Sequence, residues 1–197
     1  MNHLFIDTSN RYLTVVVASD YHILASISYE AWQRQSEFLI PEIKNMLDNA
    51  HLSLKDINHI CVGNGPGSYT GVRIALTVAK VLGVITPIKV NTISSLAILG
   101  RKDMNYISII DARSKRSYVG IYQKGINILQ DQILPNEEAI RLIDKYQKEG
   151  FVVVGDGKHL NIDTLPPDII SGLMSYGYKD EEEDILALKP IYLRDAL

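Results

Sequence analysis

The chain has 197 residues, a length that fits one ordinary domain or two small lobes. Hydrophobic residues make up 46% of it and charged residues 22%, a balance that excludes a disordered or fibrous chain. The formal net charge of -3 excludes an overall basic surface that would bind a nucleic acid backbone, but it does not exclude a local basic patch. The single cysteine, Cys61, excludes an intramolecular disulfide framework and fits a reducing compartment.

The N-terminal residues show no basic segment followed by an apolar one, so the sequence predicts no signal peptide. The longest apolar stretches, such as Val15 to Ala18, are too short to cross a membrane. We therefore expect a cytoplasmic protein that does not associate with a membrane.

The first half of the chain predicts a meander of three strands followed by alternating helices and strands. The three strands are apolar or β-branched runs separated by turn residues: Leu4 to Ile6, Tyr12 to Ala18 and Ile23 to Tyr29. The elements that follow are a helix over Ser36 to Ala50 capped by Ser36, a strand over Ile57 to Val62, a helix over Val72 to Val84, a strand over Pro87 to Val90 and a helix over Thr92 to Gly100. With right-handed crossovers, this order gives a mixed sheet with helices on its faces.

The second half follows a polar hinge at residues 101–105 and repeats the same order in shortened form. Its elements are strands over Tyr106 to Asp111, Tyr118 to Gln123 and Ile126 to Leu134, a helix over Pro135 to Glu149 and a strand over Phe151 to Val154. We therefore expect two lobes, residues 1–100 and residues 101–197. The chain is predicted to be irregular from Asn161 onward, and the acidic run Lys179 to Asp184 to be a solvated loop.

An acid and two hydroxyl residues end the first strand, at Asp7, Thr8 and Ser9. A carboxylate at the end of a strand can position a cation beside a phosphate, which the hydroxyl and amide groups then hold. Asp7 can also simply cap the turn that follows. These residues alone do not distinguish a phosphate site from a turn cap.

A loop rich in glycine, Gly63 to Gly71, lies between a predicted strand and a predicted helix. Backbone amides can approach an anion there, because glycine has no Cβ and the helix N-terminus adds a favourable partial charge. No Lys-Ser or Lys-Thr pair follows the last glycine, which excludes a Walker A loop, and the spacing does not fit a dinucleotide fingerprint. A tight structural turn is the alternative to an anion site.

The helix after this loop is apolar around most of its circumference, so it must be buried on more than one side. Small residues repeat every four positions along it and form a ridge: Gly71, Ala75, Ala79 and Gly83. Either the neighbouring helices of the same lobe cover this ridge, or it is left for a partner. We expect the flank with Ile74, Val78, Val81 and Leu82 to face the sheet.

The histidines give no metal-binding pattern, since no two of them are four residues apart and no cysteine joins them. They are His3, His22, His51, His59 and His159. No serine lies in a nucleophile elbow, and Cys61 lies within an apolar strand, as a buried small hydrophobe does.

Several segments together resemble the bacterial TsaB family, also called YeaZ. The most specific is the run from Gly63 to Ile74 that continues to Ala79-Lys80. The others are Ile6 to Ser9, Ser36 to Pro41, Asp111 to Arg113 with Tyr118, and Pro190 to Arg194. The resemblance implies an α/β fold of the actin-like (ASKHA, ribonuclease H-like) class, with two lobes that each hold a mixed sheet flanked by helices, the C-terminal lobe being reduced.

The resemblance also implies a function. TsaB-like proteins are non-catalytic partners of TsaD, which forms N6-threonylcarbamoyladenosine in tRNAs that read ANN codons, and they act together with the ATPase TsaE. TsaD holds a metal through two histidines after a Val-Asn pair, where this chain has Thr92 and Leu96. The resemblance therefore implies neither metal nor cofactor here, and contact with tRNA only through the complex. Two departures are Gln35, where the family usually has histidine, and the short second half.

Two candidate sites follow. The first is a remnant of a nucleotide cleft: Asp7, Thr8, Gly65, Gly67, Ser68, Gly155 and Gly157. The second is an interface on two helices that would pair with the equivalent helices of a TsaD-like partner, or with a second copy: Phe38, Leu39, Ile43, Met46, Leu47, Val72, Ala75, Leu76, Ala79 and Gly83. The alternative functions are a free-standing nucleotide-dependent ASKHA enzyme, either a phosphotransferase or a peptidase-like hydrolase, and a homodimeric binding module without a tRNA role.

Overall fold

The computed structural model describes residues 1–178 and 183–193. They form two compact units, of which the first contains Met1–Ser95 and Gly177–Ile191 and the second contains Leu96–Tyr176. The chain thus changes unit after Ser95, whereas the sequence places the change after residue 100. Residues 177–178 and 183–191 belong to the first unit again, and Leu188 is buried in its core.

The first unit is a five-stranded mixed sheet with two helices. Its strands are β1 (Asn2–Asp7), β2 (Tyr12–Ser19), β3 (His22–Glu30), β4 (His59–Gly63) and β5 (Lys89–Ile93), and its helices are α1 (Gln35–Asn49) and α2 (Tyr69–Ile85). The strand order is β3-β2-β1-β4-β5. The first three strands pair antiparallel, as short connections require, while β4 and β5 pair parallel because helices precede them.

The core of the first unit lies between one face of this sheet and the apolar sides of α1 and α2. Alternate residues of β1 and β2 point to this side, since successive side chains of a strand point to opposite faces. They include Leu4, Ile6, Val15 and Val17, all fully buried. The apolar stripe of α1, spaced for one helical face, packs on them.

The second unit repeats this arrangement with fewer elements. Its strands are β6 (Asn105–Arg113), β7 (Arg116–Gln123), β8 (Ile126–Pro135) and β9 (Val152–Gly155), and its helices are α3 (Asn136–Lys148) and α4 (Ile169–Tyr176). The strand order β8-β7-β6-β9 matches the first four strands of the other sheet, and β6 and β9 again pair parallel. The predicted α/β fold class, with a reduced second lobe, is confirmed.

Three sequence-based expectations for secondary structure are wrong. The segment predicted as a third helix instead continues β5 to Ile93, because Asn91 to Ile93 pair with β4, and only a 3-10 turn at Ala97–Leu99 follows. Helix α1 begins at Gln35 without a side-chain cap, so Ser36 does not cap it. The segment predicted to be irregular contains α4.

The acidic run of the C-terminal segment is described only in part, since residues 179–182 lie outside the described residues. Glu183 is half-buried, and its carboxylate accepts hydrogen bonds from Thr92. The prediction of a solvated loop is therefore wrong at Glu183. No helix in the described part of the chain is both long and apolar enough to span a membrane.

Candidate functional site

The small-residue ridge of α2 faces the core of the first unit and not the outside. Its members Ala75 and Ala79 are fully buried, and so are their neighbours Val72 and Leu76. Small residues let the helix lie close to the sheet: a Cβ at Gly71 would overlap the carbonyl oxygen of Thr8. The prediction that this ridge is an outward surface is wrong for the single chain.

The other predicted interface residues, including those on α1, are also mostly buried. Nine of the ten predicted interface residues are buried within the first unit: Leu39, Ile43, Met46, Leu47, Val72, Ala75, Leu76, Ala79 and Gly83. Phe38 is half-buried, with its ring 6.4 Å from that of Tyr29 and the Arg34 guanidinium 4.4 Å from its centroid. Apart from Leu39, which lines a depression between the two helices, none of the nine can meet a partner unless the helices separate from the sheet.

Of the flank predicted to face the sheet, Ile74, Val78 and Leu82 pack partly buried against the core, whereas Val81 lies on the exposed side of α2. Val81 is 51% exposed, Val84 62% and Ile85 68%. Ile40 on α1 is 55% exposed. Val81, Val84 and Ile85 are three and four residues apart and therefore neighbours on the helix surface, and such an exposed apolar patch is typical of a surface that another molecule covers.

Between α1 and the first half of α2 lies a depression of about 430 Å³, which we call the outer groove. Its lining residues come from both helices: Ser36, Leu39, Ile40, Tyr69, Thr70, Arg73, Ile74, Thr77 and Val78. Arg73 is the charged residue of this lining, and its Nη1 donates a hydrogen bond to the Tyr69 hydroxyl at 2.6 Å. The outer groove thus has an apolar floor and one cation at its rim.

Asp7 is fully buried at the end of β1. Its carboxylate accepts hydrogen bonds from the Ser9 backbone at 3.3 Å and from Asn10 Nδ2 at 3.1 Å. Burial raises the pKa of Asp7 to about 7, because removing a carboxylate from water disfavours its charged form. These contacts are the ones expected of a residue that caps the turn.

The amides of the glycine loop donate largely to acceptors of the protein itself. The backbone N–H of Asn64 bonds to Ile93 O at 2.9 Å, that of Gly65 to Ser95 Oγ at 3.0 Å and that of Ser68 to Ser9 O at 2.7 Å. A phosphate-binding loop presents such donors to its ligand. The arrangement here therefore matches the structural-turn alternative.

The spacing of the glycines follows from close backbone packing against the turn after β1. A Cβ at Gly67 would overlap Ser9 O, and one at Gly63 would overlap the Asp7 carboxylate. Thr8 Oγ1 donates to Gly71 O at 2.7 Å and so joins the turn to the start of α2. The predicted cleft residues of the first unit thus do lie together.

Gly155 and Gly157 lie in the second unit, Gly155 as the last residue of β9 and Gly157 just after it. Gly155 has a φ of +106°, and a side chain there would collide with Ile109 O. Asp156 N donates to the same oxygen at 2.9 Å, so this turn is held against β6. A Cβ at Gly157 would lie 2.5 Å from Ile162 O, so both glycines are explained as turn residues of their own unit.

Residues 27–156 match the family model described as TsaD: tRNA N6-adenosine threonylcarbamoyltransferase. The chain belongs to this family. Among similar proteins, the tRNA threonylcarbamoyladenosine biosynthesis protein TsaB of Bacillus subtilis (strain 168) is 32% identical over 144 residues, covering 71% of this chain and 62% of that protein. TsaB of Escherichia coli (strain K12) is 31% identical over 134 residues, covering 64% of this chain and 57% of its own.

A solved structure, YeaZ from Pseudomonas aeruginosa, has a TM-score of 0.84 and 25% identity, covering 98% of this chain and 99% of its own. The resemblance to TsaB, or YeaZ, is thereby confirmed. The chain spans about three-fifths of the length of the Bacillus and Escherichia relatives.

Three family positions singled out in the sequence have clear structural roles. Thr92 donates its N–H and hydroxyl to Glu183, and Leu96 is fully buried. Gln35, at the family's usual histidine position, is buried and donates from Nε2 to Asn10 O at 2.6 Å. It therefore ties the start of α1 to the turn between β1 and β2. Within the described residues, no group of three or more His, Cys, Asp or Glu could hold a metal.

Sequence reasoning missed two polar clusters. Ser117 Oγ lies 2.7 Å from His159 Nε2 and 3.0 Å from Asn136 Oδ1, but Ser117 is fully buried and cannot meet a substrate there. The Nδ1 atoms of His3 and His59, both buried, lie 3.2 Å apart. The partners are 42 and 56 positions apart in the sequence, so no local pattern could have indicated either pair.

Proposed function

We propose that this chain is a TsaB-type component of N6-threonylcarbamoyladenosine formation in tRNA, acting as the non-catalytic partner of a TsaD-type transferase. Family membership and the names of the curated relatives support the pathway. The observation that carries the partner role is the exposed apolar flank of α2 and α1, which includes Ile40, Val81 and Val84.

The partner binds the outer groove and the exposed flank of α2 that carries Val81 and Val84, rather than the buried ridge. Two adjacent helices with an apolar groove between them offer the surface that two helices of another chain need for a four-helix contact. Burying one large aliphatic side chain contributes about 1.5–3 kcal/mol, so a few such residues are enough for stable association. Arg73, at the rim, fits an acidic side chain on the partner.

We expect two copies to pair through the same surface when the transferase is absent, since an apolar flank is covered by whichever partner is available. An ATPase of the TsaE type works in the same complex, and tRNA meets this chain only there. The interior hydrogen bonds of the glycine loop support the non-catalytic role over a nucleotide-dependent enzyme, because the Asn64, Gly65 and Ser68 amides have protein acceptors.

The test is co-purification with the TsaD homologue of the same host, followed by modification of a tRNA transcript. We expect Val81→Glu to weaken the complex by about tenfold or more and to lower tRNA modification, because it buries an unpaired carboxylate. Ile126→Glu, on an isoleucine of the second unit that is also more than half exposed, is the matched control and leaves binding unchanged.

Ala79→Arg separates the two possible faces of α2. Ala79 is fully buried, so this change unfolds the chain, as circular dichroism will show, while Val81→Glu keeps the native spectrum. If Val81→Glu binds the transferase like the parent chain, the exposed flank of α2 beside the outer groove is not part of the interface. If the parent chain neither binds the transferase nor supports tRNA modification, the proposed function is wrong.

A further inference from the structure

Residues 183–191, which we call the strap, form a separate piece of the first unit. They contain no regular helix or strand, only a turn in which the N–H groups of Ala187 and Leu188 donate to Asp184 O. The strap lies along α2 and reaches the glycine loop. Its own hydrogen bonds are too few to fix it, so the surface beneath must hold it.

The main chain of the strap is bound in its middle and at its C-terminal end. Lys80 Nζ donates to Leu186 O at 3.3 Å and to Leu188 O at 3.2 Å. Ile191 N donates to Asn64 O at 2.7 Å, and Ile191 O lies 2.7 Å from the position that a Cβ of Gly65 would take. Groups of α2 and of the glycine loop thus recognise backbone atoms.

The side chains of the strap alternate between bound and free. Leu188 is only 6% exposed and joins the core, whereas Leu186 is 76% exposed. Ile185 reaches toward Gly83, its Cδ1 being 2.9 Å from the position of a Cβ there. The Glu183 carboxylate accepts from Thr92 N at 2.6 Å and from Thr92 Oγ1.

Main-chain hydrogen bonds combined with pockets for selected side chains are the means by which folded domains recognise peptides. We propose that the surface beneath the strap, formed by α2, the glycine loop and β5, is a peptide-binding groove whose resident ligand is the strap. The groove takes a short segment with an acidic residue, a branched apolar residue two positions later and a leucine three positions after that. It is separate from the outer groove and does not depend on the proposed function.

An equivalent segment from another chain competes for this groove only when the strap is weakened. A tethered ligand is present at an effective concentration in the millimolar range, which excludes most free peptides. Leu188→Ala removes the most buried anchor of the strap but leaves the groove itself intact. The matched control is Leu186→Ala, which changes an exposed leucine of the same strap.

The experiment measures fluorescence anisotropy of a labelled synthetic peptide of residues 183–191 with the full-length variants. We expect the peptide to bind the Leu188→Ala chain about tenfold or more tighter than the parent chain or the Leu186→Ala chain. A peptide carrying Leu188→Asp binds at least about tenfold more weakly, because the apolar pocket rejects a carboxylate. Adding Lys80→Met to the Leu188→Ala chain weakens binding of the native peptide.

Three results would overturn the proposal. The peptide could fail to bind the Leu188→Ala chain, or it could bind the parent chain and the Leu188→Ala chain with equal affinity. The third result is that the peptide with Leu188→Asp binds as tightly as the native peptide. Circular dichroism establishes that each variant is folded. If Leu188→Ala does not fold, Ile185→Ala replaces it and the same outcomes decide, since this change also weakens the strap without altering the groove.

Discussion

Gly71→Ala tests the close approach that positions α2. Gly71 is the third residue of the helix, where alanine would favour the helix by about 1 kcal/mol. Its Cβ, however, would overlap Thr8 O and lie 3.2 Å from Ser68 Cβ. A backbone oxygen cannot rotate away, so α2 or the β1–β2 turn must move.

The magnitude follows from three contributions. Overpacking costs about 1–3 kcal/mol. Displacing the helix also weakens the 2.7 Å hydrogen bond from Thr8 Oγ1 to Gly71 O, which contributes about 1 kcal/mol. After the gain in helix propensity, the free energy of unfolding falls by about 1–3 kcal/mol.

Gly83→Ala is the matched control in the same helix, because a Cβ there would meet side-chain ends, Val90 Cγ2 at 2.6 Å and Ile185 Cδ1 at 2.9 Å. These atoms can shift, so the same gain in propensity offsets the strain and stability changes by less than about 1 kcal/mol. Urea denaturation followed by circular dichroism measures both variants. If Gly71→Ala is as stable as Gly83→Ala, the approach of the turn to α2 is not rigid and the reasoning is refuted.

Two further predictions concern the end of β1 and the glycine loop. Burial raises the pKa of Asp7 from 3.8 to about 7, so the folded state retains a proton that the unfolded state releases, and stability falls as the pH rises between these values. Between pH 5 and pH 8 this proton accounts for a fall of about 3 kcal/mol in the free energy of unfolding, and we expect Asp7→Asn to abolish that part of the fall. Urea denaturation at the two pH values measures it, and an unchanged pH dependence in the variant contradicts the prediction. ATP with magnesium gives no saturable heat in calorimetry with the isolated chain, because the Asn64, Gly65 and Ser68 amides donate within the protein; micromolar affinity would contradict it.

The sequence by itself determined the elements and their order in most of the chain. Strand and helix periodicities are local, so the meander, α1, α2 and α3 could be predicted from residues close together. The glycine-loop signature identified the family, because that run is specific without any knowledge of its contacts. Prediction failed after Val90, where pairing of Thr92 and Ile93 with β4 overrides the apparent helix.

The orientation of α2 was decided only by the tertiary structure. A pattern that is apolar nearly all round indicates that the helix is buried, but it does not indicate which side of the helix faces the sheet. The small-residue ridge turns inward because Gly71 must pass the Thr8 backbone, and this leaves Val81 and Val84 outside. The strap and the Ser117–His159 pair join residues far apart in sequence, and such contacts exist only after the chain has folded.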